Sequence, residues 1–322
     1  MTSSPRVAVA TLGEAMLRLS VPPGIRLHDA SAYDVHVAGA EANVAYALAR
    51  VGVPASWASV LPRNPLGERV ASVLAAGGVD LAPVVWTDRG RLGTFFVEGG
   101  ARPRPTLVVY DRTGSTMAEA TPDCFDWDLV VGGRHLHVSG ITFAISKAAA
   151  GVARVAIQQA RSRGCTVSLD VNHRDRLWTP EEADRTLTAL AGSVDLLICR
   201  GADAARVFGC QGEARAVAEQ LRERFLARSV VCTWGAEPAT LLEAGRWAEA
   251  PTYEVQIVER IGAGDAFAAG VLWGFVEGST ELGLRRGVAM AALKMTLRGD
   301  LYTLGPEAVA ELLVAPPGDI ER

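Results

Sequence analysis

The chain has 322 residues, 49% of them hydrophobic and 21% charged, with a formal net charge of −4. That is the composition of a folded protein able to bury a sizeable core, and it excludes the disordered and fibrous classes. The weakly acidic balance, with no basic stripe, also excludes the usual footprint of a nucleic-acid binder. The arginines are therefore expected in local roles such as gripping anionic ligands.

Arg6–Leu12 (RVAVATL) reads as a buried strand. It is too short and wrongly flanked for a signal peptide, and no apolar run approaches the roughly 20 residues that span a bilayer. A cytoplasmic location is expected. Glu41–Val51 reads as a helix, acidic at its start and stopped by Gly52 with Pro54 beyond. Ala55–Leu61 is a strand, and Pro65–Ala76 a helix with proline in its first turn and Gly77-Gly78 after it. Further strands are predicted at His135–Ser139, Thr166–Val171, Leu196–Cys199, Ser229–Thr233 and Ala239–Glu243. Helical stretches such as Ala148–Arg163 and Ala214–Ala227 separate most of them. This alternation predicts an α/β fold, a mostly parallel sheet with helices on both faces.

Residues 14–37 and 93–111 break the rhythm with strand-like pieces (MLRLSVP, YDVHV, GTFFVEG, TLVVYDR) and few helical signals. They are expected to pair into a small β-sheet lid; two unrelated surface loops are the alternative. The prolines are scattered and mark no linker, so residues 1–322 are expected to form one domain carrying that lid. Cys124, Cys165, Cys199, Cys210 and Cys232 include no CxxC pair, and the five histidines include no HExxH. Neither a disulfide framework nor a zinc site is expected.

The strongest local signal is IGAGDAFAAG at 261–270, followed by an apolar helical pattern. Small residues let backbone approach a ligand, and the start of a helix offers unpaired N–H groups that favour negative charge. An aspartate at such a place can take a proton from an attacking hydroxyl. A bare GxGD is equally an ordinary turn with a capping residue.

The wider pattern resembles the ribokinase-like (PfkB) carbohydrate kinases. GAGDAFAAG (262–270) is similar to that family's C-terminal signature, and AGAEANVA (38–45) to its sugar-binding segment. HVSGIT (137–142), SLDVNHR (168–174) with Leu177-Trp178, RGD (298–300) and YDRTGS (110–115) resemble the 2-keto-3-deoxygluconate kinase branch. The resemblance covers most of the chain. It implies a doubly wound α/β domain with a β lid, sugar bound between them, and ATP with Mg²⁺ as phosphoryl donor and metal. It implies Asp265 as base, with the Gly262, Ala263 and Gly264 amides as anion hole. Gly39, Ala40 and Asn43 match the sugar segment. Arg112 and Arg174 match arginines near an acid substrate, and Phe95 or Phe96 falls where the branch often has a substrate-touching tyrosine. Asn172, Arg200, Thr233 and Gly235 fall on the nucleotide side, and Asp170 and Asp203 near the metal, through water.

Four departures stand out. Arg200 replaces the Asn or Ser of an Asn-x-x-Glu motif, with Asp203 for the acid; Glu259-Arg260 replaces Asp-Thr; Pro238 replaces a glycine; and Ala38 replaces another. Arg200 and Arg260 could add phosphate contacts, or mark altered nucleotide use. The cation at Arg260 also suggests that the potassium-like ion used by some members is not required. The resulting expectation is an ATP-dependent kinase of a small sugar acid, 2-keto-3-deoxygluconate first, phosphorylated at a terminal hydroxyl. A fructokinase- or ribokinase-type activity on a neutral sugar or nucleoside is the alternative, as is a non-catalytic sugar-binding protein. A dinucleotide oxidoreductase is excluded because no GxGxxG follows the first strand. Apolar lid strands suggest a homodimer or larger.

Overall fold

The computed structural model describes residues 7–100 and 103–314; Arg6, the start of the first predicted strand, lies outside them. In chain order, β1 (Val9–Leu12) leads to β2 (Met16–Ser20), β3 (Asp34–Ala38), α1 (Ala40–Arg50), β4 (Ala55–Pro62), α2 (Pro65–Ala76) and β5 (Val84–Thr87). Next come β6 (Gly93–Glu98), β7 (Leu107–Asp111), the short α3 (Trp127–Val130), β8 (His135–Ser139), α4 (Gly140–Ala144) and α5 (Lys147–Ser162). β9 (Thr166–Asp170), α6 (Pro180–Thr188), β10 (Leu196–Arg200), α7 (Gly201–Phe208) and α8 (Ala214–Phe225) follow. The chain continues through β11 (Ser229–Trp234), β12 (Glu237–Glu243), β13 (Arg246–Ala250), α9 (Ala263–Val276), α10 (Thr280–Met295) and α11 (Pro306–Val314).

Nine strands form the main sheet in the order β13-β12-β11-β10-β9-β8-β1-β4-β5. From β11 to β5 every pairing is parallel; β12 and β13 add an antiparallel edge. Successive strand residues feed opposite cores: Leu197 and Cys199 of β10 pack on one face, Leu196 and Ile198 on the other. Burial on both faces is why these strands read as continuous apolar runs rather than alternating ones. The chain leaves β1 toward β4 on one side and later returns to β8 on the other. This reversal opens a crevice beyond the carboxyl ends of the strands, the usual ligand position in such sheets.

The stretches that break the rhythm form a separate four-stranded sheet, β3-β2-β6-β7. Its β2–β6 pair is parallel and its two outer pairs antiparallel. Met16, Ala38, Phe95 and Val97 make a small core on its inner face, against Val108 and Ile261.

Helix α9 is apolar nearly all round because it is buried on most sides. It lies against α10 through glycines: a Cβ on Gly270 or Gly274 would run into the Gly287 or Gly283 backbone. That close packing fixes where the start of α9 sits.

Candidate active site

A cavity of about 440 Å³ lies between the small sheet and the carboxyl ends of the main strands, within the range of small-molecule sites. Asp265 stands in the first turn of α9 and lines it. The turn is set by Gly262, the N-cap, whose φ of 85° is left-handed; a side chain there would also collide with the Asp300 carbonyl. Asn43, one turn into α1, donates from Nδ2 to Asp265 Oδ2 at 2.7 Å. Asn43 is 4% exposed, and its Oδ1 has no protein partner among the described residues. It thus holds the aspartate while leaving a buried acceptor unused.

Burial pushes the Asp265 carboxyl up to about 8. The Asn43 hydrogen bond and the Arg174 charge act against that rise, while Asp170 and Asp300 add to it. Asp170, at the end of β9, is raised to about 7, by burial first and then by Asp203. Its Oδ1 accepts the Asn172 amide at 3.1 Å, in a turn that puts Asn172 at a φ of 38°. Burial raises Asp300 to about 6, against the pull of Arg18. Perturbed carboxyls gathered in one cleft are the electrostatic mark of a functional site.

Most of the expected site residues meet here. Gly262, Gly264 and Asp265 line the cavity beside Gly39, Ala40 and Asn43. Phe95, Arg112 and Arg174 form another part of the wall, and Asp170, Asn172, Arg200 and Thr233 the strand-end part. Phe95 is the residue turned inward; Phe96 packs edge-on against Tyr33, off the cavity.

Three of the expected site residues are placed differently by the fold. The Ala263 amide is already bonded to the Arg260 carbonyl at 3.2 Å, because the turn into α9 closes on itself. Among the described residues the Gly262, Gly264 and Asp265 amides make no bond to protein, so of the three expected donors only Ala263 is already occupied. Asp203 is buried off the cavity, both of its oxygens taken by Arg200 at 2.8 and 2.6 Å. Gly235, in the turn between β11 and β12, is not part of the cavity wall.

Glu14, Tyr110 and Asp300, which the sequence did not single out for a role, also line the cavity. Glu14 follows the carboxyl end of β1, a position that could have flagged it. It is ion-paired to Arg112 and accepts from Ser115 Oγ. Asp300 belongs to the RGD motif at 298–300, but only the α9–α10 hairpin returns it to the loop. Nearby, Glu41 is buried and accepts from the Ser139 amide, Ser139 Oγ and Thr142 Oγ1 at 2.9, 2.7 and 2.6 Å. Those bonds tie the start of α1 to the end of β8. All five cysteines are free thiols.

The pattern of the pfkB family carbohydrate kinases matches residues 8–304. The chain belongs to this family. It is therefore a carbohydrate kinase, a phosphotransferase. It is 37% identical to the 2-dehydro-3-deoxygalactonokinase of Haloferax volcanii, over 98% of this chain and 99% of that one. It is 28% identical to the 2-dehydro-3-deoxygluconokinase of Bacillus subtilis, over 92% of each. The solved 2-dehydro-3-deoxygluconokinase of Thermotoga maritima superposes with a TM-score of 0.90 at 35% identity, covering 97% of this kinase and 99% of the other. Among the described residues, no helix of the kinase is long and apolar enough to cross a membrane.

Proposed function

We propose that this kinase transfers the γ-phosphoryl group of ATP to the terminal hydroxyl of a 2-dehydro-3-deoxy sugar acid, 2-keto-3-deoxygluconate first. The observation that carries this reading is the presence, in one cavity, of Asp265 held by Asn43 and of Arg174 with no ion-pair partner among the described residues. A hydroxyl acceptor needs the first as base. A carboxylate substrate needs a guanidinium that is not already neutralised, and can take two parallel hydrogen bonds from it. Arg112, tied to Glu14, is the weaker carboxylate ligand of the expected pair. The names of the relatives point to the same substrate class. The galactonate epimer is the second reading, favoured by the 37% identity to the Haloferax kinase.

In this reading the small sheet is a lid. Phe95 and Tyr110, rings 5.4 Å apart, cover the sugar, and Asn43 Oδ1 accepts from one of its hydroxyls. Phosphoryl transfer depends chiefly on position and charge, and the Gly264 and Asp265 amides supply both at the start of α9. No three metal-ligating side chains converge among the described residues. That fits Mg²⁺, which keeps several waters and binds one or two carboxylates beside the phosphates. Asp170 suits this role through water; Asp203, occupied by Arg200, does not. Mg²⁺ bound there would neutralise charge on the phosphates.

A coupled assay with ATP and Mg²⁺ tests the substrate. Turnover of 2-keto-3-deoxygluconate or its galacto epimer, well above that of fructose and ribose, is expected; preference for a neutral sugar ends the acid reading. Two copies are proposed to pair through the outer face of the lid. There Val35, Leu19, Phe96 and Val109 stand in register across all four strands, with Val35 and Val109 36% and 44% exposed. Sedimentation at micromolar concentration should show a dimer that Val109→Glu weakens; a monomeric wild type contradicts the pairing.

A further inference from the structure

Four arginines line the cavity: Arg112, Arg174, Arg200 and Arg260. Two are neutralised within the protein, Arg112 by Glu14 and Arg200 by a two-pronged pair with Asp203. Arg174 and Arg260 have no ion-pair partner among the described residues. The charge of Arg174 acts on both Asp170 and Asp265. Arg260 stands two residues before the left-handed Gly262, and its own carbonyl closes the turn into α9.

The residue before it explains why Arg260 turns to the cavity. The Val258 and Glu259 amides both donate to the Met295 carbonyl, at 2.8 and 3.1 Å. The Glu259 side chain points to the buried side, 2.6 Å from Arg18 Nη1, and accepts the Gly299 amide at 2.8 Å. With Glu259 clamped at backbone and side chain, the next side chain, Arg260, is exposed and lines the cavity that Gly264 and Asp265 also line. Glu259-Arg260 is thus one device, an anchor followed by a cation.

We propose that Arg260 is a catalytic residue that binds the phosphoryl group in flight, with Glu259 positioning it. The proposal rests on phosphoryl transfer in this cavity, not on the identity of the sugar. The acceptor oxygen forms its bond to γ-phosphorus as the bond to the β,γ-bridging oxygen breaks. ADP leaves with that electron pair, and the hydroxyl proton passes to ionised Asp265. Charge spread over the three equatorial oxygens lies at the Gly264 and Asp265 amides and at the Arg260 guanidinium. Preorganised donors at that point act mainly on the transition state.

Arg260→Ala and Arg260→Lys test this in the full-length kinase. With ATP, Mg²⁺ and 2-keto-3-deoxygluconate or its galacto epimer, Arg260→Ala should lower kcat by about 10²–10³-fold. Both KM values should change by less than about threefold, as expected when a transition-state contact is lost. Arg260→Lys should fall between it and the wild type, and added guanidinium should raise the turnover of Arg260→Ala. A second arm needs no sugar: calorimetric titration with ADP and Mg²⁺, with and without aluminium fluoride. The wild type should bind the fluoride complex more tightly than ADP alone, and Arg260→Ala should lose that difference while melting at the same temperature. The proposal is overturned by kcat within threefold of wild type, by a rise confined to the ATP KM, or by equal fluoride tightening in both proteins. It is also overturned if the wild type shows no tightening. Failure of the wild type on both sugar acids would end the substrate reading alone, since the fluoride arm still decides Arg260.

Discussion

The loop at 259–265 has two faces, and charge is handled oppositely on them. On the cavity face Asp265, Arg174 and Arg260 lack a partner of opposite charge at bonding distance among the described residues, and burial drives the Asp265 carboxyl up to about 8. On the buried face Arg18, 2% exposed, sits 2.6 Å from Glu259 and 2.8 Å from Asp300, which reaches the cavity wall between the two faces. Lys294, fully buried in α10, donates to the Leu297 carbonyl at 3.3 Å, and its charge acts on Asp300. Burial lowers the Lys294 ammonium from its usual range, while Glu259 and Asp300 hold it up. Breaking a buried pair leaves an uncompensated charge, so the buried face is expected to be structural. The uncompensated groups are those available to a ligand.

Asp265→Asn is the sharpest way to break this contrast. Turnover should fall by about 10²-fold or more, while folding is kept. The carboxyl is raised above its unfolded value, so the native state binds the extra proton and stability declines as pH rises from about 4 to about 8. The variant escapes that decline. It should melt above the wild type at pH 8 and alongside it near pH 4. In the wild type, kcat/KM should rise toward a plateau above about pH 8 as the base ionises. Near-normal turnover of Asp265→Asn removes Asp265 from its role.

Next in size is Arg174→Ala, which should cost about 10–100-fold in kcat/KM for a sugar acid, the worth of hydrogen bonds to a charged group. A loss under threefold contradicts the carboxylate assignment. Smallest is the response to K⁺. Arg18 and Lys294 already place two fixed cations behind the loop, so adding K⁺ at constant ionic strength should change kcat by less than about twofold. A large increase refutes the idea that these side chains make an added cation unnecessary.

Much of the fold was legible because burial writes itself into local pattern. The strand at His135–Ser139 and the helix at Pro65–Ala76 match their predicted limits, and α5 lies one residue from its own. The edge strand β13, RWAEA, was not legible: it shows no clean alternation and owes its conformation to pairing with β12. In the site, the GAGD loop and the SLDVNHR turn were readable as motifs. Which amide in the first was already spent, and which arginine was already neutralised, were not.

The sequence by itself determined the family, the strand–helix order and Asp265 as the candidate base. These rest on local pattern and on short motifs that keep their neighbours. The tertiary structure alone decided the charge pairing. In the sequence Arg18 is one polar residue in MLRLS, with nothing to separate it from a solvated side chain. In the fold it is buried against carboxylates more than 200 residues away, and Glu259 turns inward to meet it. Charges interact through space and not along the chain. Which arginine is neutralised and which remains for a ligand is therefore settled only when distant segments are brought together.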